Sequence, residues 1–467
     1  MYSFKKSIQL TALFVFIMSI NSFGQSCNCN QELNFVKDKI ENNYAGFIDK
    51  VNSRSKISYD QHTLSFLKKT QSVTMPSHCV YLINEWLSFF KDGHILVGRN
   101  RISKEKEEAE LMERIKNIEL ISLSNDKLSL LAGNKGIEGV YINGDSGERI
   151  ALIKSKTEFR DYAGIIISSA GKWSPGQVCM ELKMNKDTLE GIVYDKYFIP
   201  NNVKFPIKKD SFGTYVREGI KQTKKEKTSE ATVSSEILSA KTLYLRINTF
   251  NQNNAKKIDS LFKANQSNLA QMPNLILDLR NNGGGADFSY RPVTPYLYTG
   301  PIRNIGSDVL ATADNINGWA AVATTDGIPP DQKNFMNGVI KKMEENKGKF
   351  ISFSEDSTIS FGSILPNPKK VVILINKNCG STTEEFLLLA KQSSKVTLMG
   401  EPTAGVLDYA NVRGADFSCM PYMLYWATTR SKRIDQGMGI DNVGIMPDKR
   451  LKPEEDWINE AKRFVEN

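Results

Sequence analysis

The run Leu275-Ile-Leu-Asp-Leu-Arg280 leads straight into Asn281-Asn-Gly-Gly-Gly285. It reads as a buried-type strand that stops at a tight turn. Its three glycines can bring backbone N–H groups close to a ligand. A second segment has the same grammar: Val371-Val-Ile-Leu-Ile375, a short connector, then Gly380-Ser-Thr-Thr-Glu-Glu-Phe386. It ends in a serine placed where a helix begins. Together the two segments predict an oxyanion-holding turn beside a nucleophile.

Around these segments strands and helices alternate. Leu243 to Ile247 reads as a strand, Ala255 to Leu269 as a helix, Leu275 to Leu279 and Val371 to Ile375 as strands. Glu384 to Gln392 follows as a helix and Val396 to Gly400 as a strand. That order predicts an α/β core with parallel pairing. Right-handed crossovers then bring the C-terminal ends of neighbouring strands to one edge, where ligands bind.

Local sequence leaves two roles open for Ser381. It can be an N-cap, forming a capping box with Glu384 three residues later. The functional alternative is a nucleophile polarised by the helix terminus, with the Thr382 N–H facing a developing oxyanion. The flank is not GxSxG, so the usual α/β-hydrolase elbow is not indicated. The triglycine is either a flexible turn or a nest of N–H groups for an anion. It is not GxGxxG, and no nucleotide reading follows.

Upstream the pattern differs. From about 30 to 117 the chain reads helical, with Leu33, Val36, Ile40 and Tyr44 on one stripe. Tyr81 to Phe90 is an apolar helix ending at Lys91-Asp-Gly-His94, where Gly93 marks a turn and Ile95 to Val97 a short strand. Lys104 to Glu110 opens a solvated helix. From 118 to 218 short strands are separated by turns such as Asn143-Gly-Asp-Ser-Gly147, the cadence of an antiparallel sandwich or barrel. Residues 219–240 read as a linker. The fold class is therefore α+β and multidomain: 25–117 helical and carrying His94, 118–218 β-rich, 241–467 the α/β core.

Composition is that of a globular chain, 40% hydrophobic and 24% charged over 467 residues. Lys5 and Lys6, the apolar run Leu10 to Ile20, and Ser22-Phe-Gly24 have the layout of a secretory signal ending at residue 24. The run falls short of the ~20 residues that a membrane span needs. A signal anchor, or lipoprotein processing at Cys27, is the alternative. The expectation is an exported protein, periplasmic or secreted, with no membrane span after processing. Loss of Lys5 and Lys6 lowers the formal charge from +9 to +7. The densest basic stretch, Lys221 to Lys227, holds a glutamate and no aromatics, so it reads as solvated linker and not as a nucleic-acid patch. The six cysteines admit 15 pairings. In an oxidising compartment Cys27-Asn-Cys29 can tether to Cys79, while the alternative leaves most thiols free and buried. There is no CxxC and no HExxH, and the histidines are His62, His78 and His94 alone, so no zinc site and no cofactor is expected.

Four blocks in order carry a resemblance: Leu243 to Phe250, Leu275 to Gly285, Val371 to Phe386, and Gly439-Ile-Asp-Asn-Val-Gly-Ile-Met-Pro-Asp448. With Asp92-Gly-His94 they resemble the tail-specific or C-terminal processing proteases, serine peptidase family 41. The resemblance implies a crotonase-like core. It places Ser381 on the family nucleophile, and Gly283 or Gly284 with the Thr382 N–H on the oxyanion donors. Most members use a lysine base in a Phe-Gly-Lys-Gly segment. Here the matching segment is Thr403-Ala-Gly-Val406, without lysine. The resemblance is then to the tricorn-like branch, which uses a histidine from the N-terminal part and an acid near the last block. His94 and Asp441 match those positions, although the family has Glu at the second and Ser before the histidine, where Gly93 stands. A neutral imidazole accepts a serine proton near pH 7. Many relatives carry a PDZ-type module, and 118–205 shows no equivalent.

The expectation is an exported serine peptidase acting on peptide or unfolded protein through Ser381, His94 and Asp441. Three alternatives stand beside it: a non-catalytic binding protein on the same fold, an esterase or thioesterase using the same serine, and a Cys379 nucleophile.

Overall fold

The computed structural model describes residues 27–100, 103–220, 231–325 and 327–467. The signal segment and the Lys221 to Lys227 stretch lie outside the described residues.

The two quoted segments are neighbours at the centre of a six-stranded sheet. Its order is Val233–Ser239, Thr242–Ile247, Asn274–Asp278, Lys370–Ile375, Val396–Gly400 and Lys449–Arg450. The first pair is antiparallel and every later pair parallel, with Leu275 opposite Val371 and Leu277 opposite Ile373. The central strands are apolar throughout because both faces are covered. Leu275, Leu277, Val371 and Ile373 point to one face, packed by Ile258, Phe262, Phe386 and Leu387 of the helices Ala255–Ala264 and Thr382–Ala390. Ile276, Val372 and Leu374 point to the other, packed by Trp457, Ala461 and Val465 of the C-terminal helix Trp457–Glu466. The expected helix from Ala255 to Leu269 is divided at Asn265 into Ala255–Ala264 and Gln266–Gln271.

A second, antiparallel sheet of five strands joins distant parts of the chain. Met423–Ser431 pairs along its length with Tyr409–Asp416 and on its other side with Leu96–Gly98 and Ser307–Leu310. Phe350–Ser354 completes it. The N-terminal helices do not close a core of their own. Leu33, Val36, Ile40, Trp86 and Phe90 pack with Tyr409, Leu424 and Trp426 of this sheet. That shared core carries the loop bearing His94 towards the α/β part.

Residues 139–217 form a closed barrel of eight strands, antiparallel between neighbours, with Gly139–Asn143 closing onto Tyr215–Arg217. Closure leaves no exposed edge. The barrel is fastened to the helix Pro76–Leu87 by His78 Nε2 and Glu181 at 3.0 Å, and by Asn202 Nδ2 donating to Glu85 at 2.6 Å. Disulfides join Cys27 to Cys419 and Cys29 to Cys79, while Cys179 and Cys379 are free and buried.

Candidate active site

Five loops meet at the C-terminal edge of the parallel sheet. Gly380 N–H donates to the Asn282 carbonyl at 3.2 Å, joining the serine loop to the triglycine loop. Ala404 N–H donates to the Cys379 carbonyl at 2.8 Å, adding the loop that replaces the family lysine segment. Asn442 N–H donates to the Gly405 carbonyl at 2.9 Å, and Asn442 Nδ2 to the Lys91 carbonyl at 2.8 Å. The last two bonds bring in the Asp441 loop and the His94 loop.

Ser381 sits between strand and helix with φ +55° and ψ −126°. A side chain in the left-handed half of backbone space is strained by about 1–3 kcal/mol and persists only where surrounding structure enforces it. GxSxG is absent, yet the turn is of the same sharp strand-to-helix kind. Glu384 enforces it. Its buried carboxylate accepts from Ser381 N–H at 3.2 Å, Thr403 Oγ1 at 2.5 Å, Gly405 N–H at 2.7 Å and Val406 N–H at 2.9 Å. Sequence reasoning gave Glu384 only a capping role. Its reach to a loop beyond the helix had no local signal.

Asn282 plays the matching part on the other side. Its Oδ1 accepts from Gly284 N–H at 3.0 Å, Phe250 N–H at 3.2 Å and Thr383 Oγ1 at 2.8 Å. The Gly284 N–H is thus already engaged within the protein. What Gly284 provides is clearance. At φ +101° a Cβ there would lie 2.7 Å from the Gly380 carbonyl oxygen, 2.9 Å from Thr382 N and 3.0 Å from Ser381 Cβ. Among the described residues the N–H groups of Gly283 and Thr382 donate to no protein acceptor. Gly283 is exposed, and Thr382 Oγ1 donates to the Gly285 carbonyl at 3.1 Å and to Asp287 Oδ1 at 3.0 Å.

Val406 stands where the family lysine segment places its loop. A Cβ on Gly93 would lie 2.9 Å from Val406 Cγ1, and a Cβ on Gly380 2.8 Å from Val406 Cγ2. One branched side chain therefore touches both the glycine before His94 and the glycine before Ser381. This accounts for Gly93 where the resemblance leads one to expect serine.

Asp441 is not paired with His94. Among the described residues its ion pair is with Lys50 Nζ at 3.4 Å, and its Oδ1 accepts from Asp408 N–H at 3.2 Å. Burial, and next the charge of Asp92, push its carboxyl up to about 7 against the opposing effect of Lys50. Among the described residues the ion pair of His94 is with Asp92 Oδ1, at 3.8 Å from Nδ1. Cys379 is fully buried, donates to the Leu279 carbonyl at 3.1 Å, and has its thiol pushed up to about 12 by burial. A thiolate nucleophile there is disfavoured. His62 and His78 are occupied elsewhere, against the Trp86 carbonyl and Glu181.

The family model for peptidase family S41 matches residues 241–451, the span that holds both sheet loops and the last block. Residues 241–451 are similar to peptidase family S41. That match supports peptidase function. In overall structure the chain is similar to mature CPAF, at 14% identity over 94% of this chain and 95% of that one, with a TM-score of 0.50. It is also similar to the photosystem II D1 C-terminal processing protease, at 14% identity over 94% and 98% of the two chains with a TM-score of 0.40. The tricorn protease matches at 11% identity over 94% of this chain and 36% of that one, with a TM-score of 0.40. Among curated proteins no sequence matches. No helix among the described residues is long and apolar enough to cross a membrane. One grouping of potential metal ligands among them, Cys27, Glu32 and Cys419, has its two sulfurs joined as a disulfide.

Proposed function

We propose that the chain is an exported serine peptidase acting on peptide or unfolded protein. Ser381 attacks the scissile carbonyl. His94 takes the serine proton and returns it to the leaving amine. The Gly283 and Thr382 N–H groups receive the oxyanion at a helix N-terminus. Asp441 holds the family position of the acid that orients His94. No cofactor or metal enters the scheme. The carrying observation is the strained Ser381 backbone at φ +55°, clamped by Glu384 and lying against Gly284.

Export is supported by the two disulfides, which suit an oxidising compartment. With its sulfur bonded to Cys419, Cys27 offers no thiol for a lipid anchor. A binding protein on the same fold is the second reading, favoured by Val406 in the lysine segment and by the Asp441–Lys50 pair. A fluorophosphonate probe separates the two. Labelling lost in both Ser381→Ala and His94→Ala supports the peptidase. A folded wild type that takes no label favours binding. Parallel ester and peptide assays then distinguish an esterase using the same serine.

A further inference from the structure

The imidazole of His94 has a buried Nδ1 without a hydrogen-bond partner among the described residues. A base that is to accept a proton at Nε2 needs Nδ1–H held by an acceptor, or the ring populates both tautomers and turns freely. The family position for that acceptor is occupied by Asp441, whose carboxylate is committed to Lys50 and to the Asp408 N–H.

Asp92 is placed differently. Its side chain is 1% exposed, and its Oδ1 stands 3.8 Å from His94 Nδ1. The same Oδ1 accepts the His94 backbone N–H at 2.8 Å, which folds the Asp92-Gly93-His94 turn back on itself. Oδ2 accepts from the Tyr44 hydroxyl at 2.7 Å. Tyr44 is itself buried and held edge-on between Phe90 and Tyr409. The carboxylate is thus fixed at both oxygens, with one of them aimed at the imidazole. Closing from 3.8 Å to a hydrogen bond needs a shift of about 1 Å, within what catalytic contacts of unliganded enzymes undergo.

We infer that Asp92 is the positioning residue of His94: its carboxylate holds Nδ1–H, leaves Nε2 free for the Ser381 proton, and is itself braced by Tyr44. The inference rests on the Ser381–His94 reading above and replaces only the identity of the acid. Asp441 interacts electrostatically with Asp92, Asp408, Lys50, Tyr44 and Tyr409. The ion pair of Asp441 is with Lys50, while that of His94 is with Asp92.

The test uses the processed full-length protein with its disulfides intact. Fluorophosphonate labelling rates are measured from pH 5 to 9 for wild type, Asp92→Asn, Asp92→Glu, Tyr44→Phe and Asp441→Asn. The His94 tautomer is read in parallel from 15N-histidine chemical shifts. The expected result is a fall of at least about 100-fold for Asp92→Asn, in line with loss of the acid of a triad. Its acid limb moves to lower pH and the Nδ1–H tautomer signature is lost. Partial rescue is expected with Glu, a smaller fall with Tyr44→Phe, and a loss for Asp441→Asn at least tenfold smaller than for Asp92→Asn. A folded Asp92→Asn protein with the wild-type rate, pH profile and tautomer overturns the inference, as does an Asp441→Asn loss exceeding that of Asp92→Asn. If Asp92→Asn does not fold, Tyr44→Phe carries the same tautomer and pH readout, and no change in either overturns the inference. Wild-type protein that takes no label counts against the peptidase reading itself. The 15N signature still decides Asp92 in that case, because it needs no turnover.

Discussion

Gly93 and Val406 pack so closely that any side chain at 93 must displace a Val406 methyl, since a Cβ there would stand 2.9 Å from Cγ1. The base loop and the serine loop share this one contact. Gly93→Ser, the residue found in the tricorn-like branch, is therefore expected to push His94 away from Ser381. A displacement of that order lowers rates about 100-fold. Val406→Ala in the same chain should recover much of the labelling rate. If Gly93→Ser labels like wild type, the Val406 contact does not set the position of His94.

Glu384 is expected to matter for stability as much as for reaction. Glu384→Gln turns one acceptor oxygen into a donor facing N–H and O–H groups that already donate. Breaking a buried, charge-assisted cluster costs about 2–4 kcal/mol. Urea unfolding should show a loss of that size, together with loss of labelling. An unchanged unfolding midpoint would mean that the 403–406 loop is held by other contacts.

Strain at Ser381 gives a prediction of opposite sign. Ser381→Gly removes the nucleophile and also the side chain that makes φ +55° costly. It should be more stable than Ser381→Ala by about 1 kcal/mol, although glycine widens the unfolded ensemble and offsets part of the gain. Thermal melts of the two variants measure the difference. Equal or lower stability for the glycine variant would show that the turn is relaxed.

The carboxyl of Asp441 is pushed up to about 7 from an ordinary 3.8 by burial and by Asp92. The folded state then binds a proton that the unfolded chain has released. Its contribution is fully present below about pH 4 and is lost as pH rises towards 7. Asp441→Asn should flatten this slope and be more stable than wild type at pH 8, by on the order of 2–4 kcal/mol. The two proteins should converge near pH 4. Parallel stability curves across that range would exclude a raised Asp441.

Loss of the Cys29–Cys79 bridge, which has a sequence separation of 50, should destabilise the N-terminal helices by about 4 kcal/mol in the chain-entropy account. A Cys29→Ser, Cys79→Ser protein tests this by calorimetry. In the intact protein Cys179 and Cys379 are buried, so a thiol reagent should modify neither without denaturant. Rapid native labelling at Cys379 would instead expose the serine loop as open.

Much of the fold was legible because its signals are local. Leu275 to Leu279 and Val371 to Ile375 read as buried strands, and they are the parallel centre of the sheet. The hairpin cadence after residue 118 became a closed barrel. The five-stranded sheet was not legible, because its pairs join Leu96 to Tyr425 and Val309 to Thr429, and no local pattern encodes such partners. The site divides the same way. Ser381 and the triglycine announce themselves by strand–turn–helix grammar. Glu384, Asn282 and Val406 act on loops distant in sequence, so their contacts follow only from the assembled sheet edge. Asp92 was read as part of a turn, which it is, while its second oxygen answers to Tyr44.

The pairing of Leu96–Gly98 with Met423–Tyr425 has a consequence for when the molecule becomes reactive. The proposed base His94 is encoded in the first quarter of the chain and the proposed nucleophile Ser381 in the last, and the strand that seats His94 follows Ser381 in order of synthesis. A chain emerging from a ribosome or a translocation channel carries His94 for most of its journey with nothing to act on. On the proposed scheme the site is complete only once residues 423–425 have arrived to pair with 96–98, so a chain interrupted before them lacks the seat of its base.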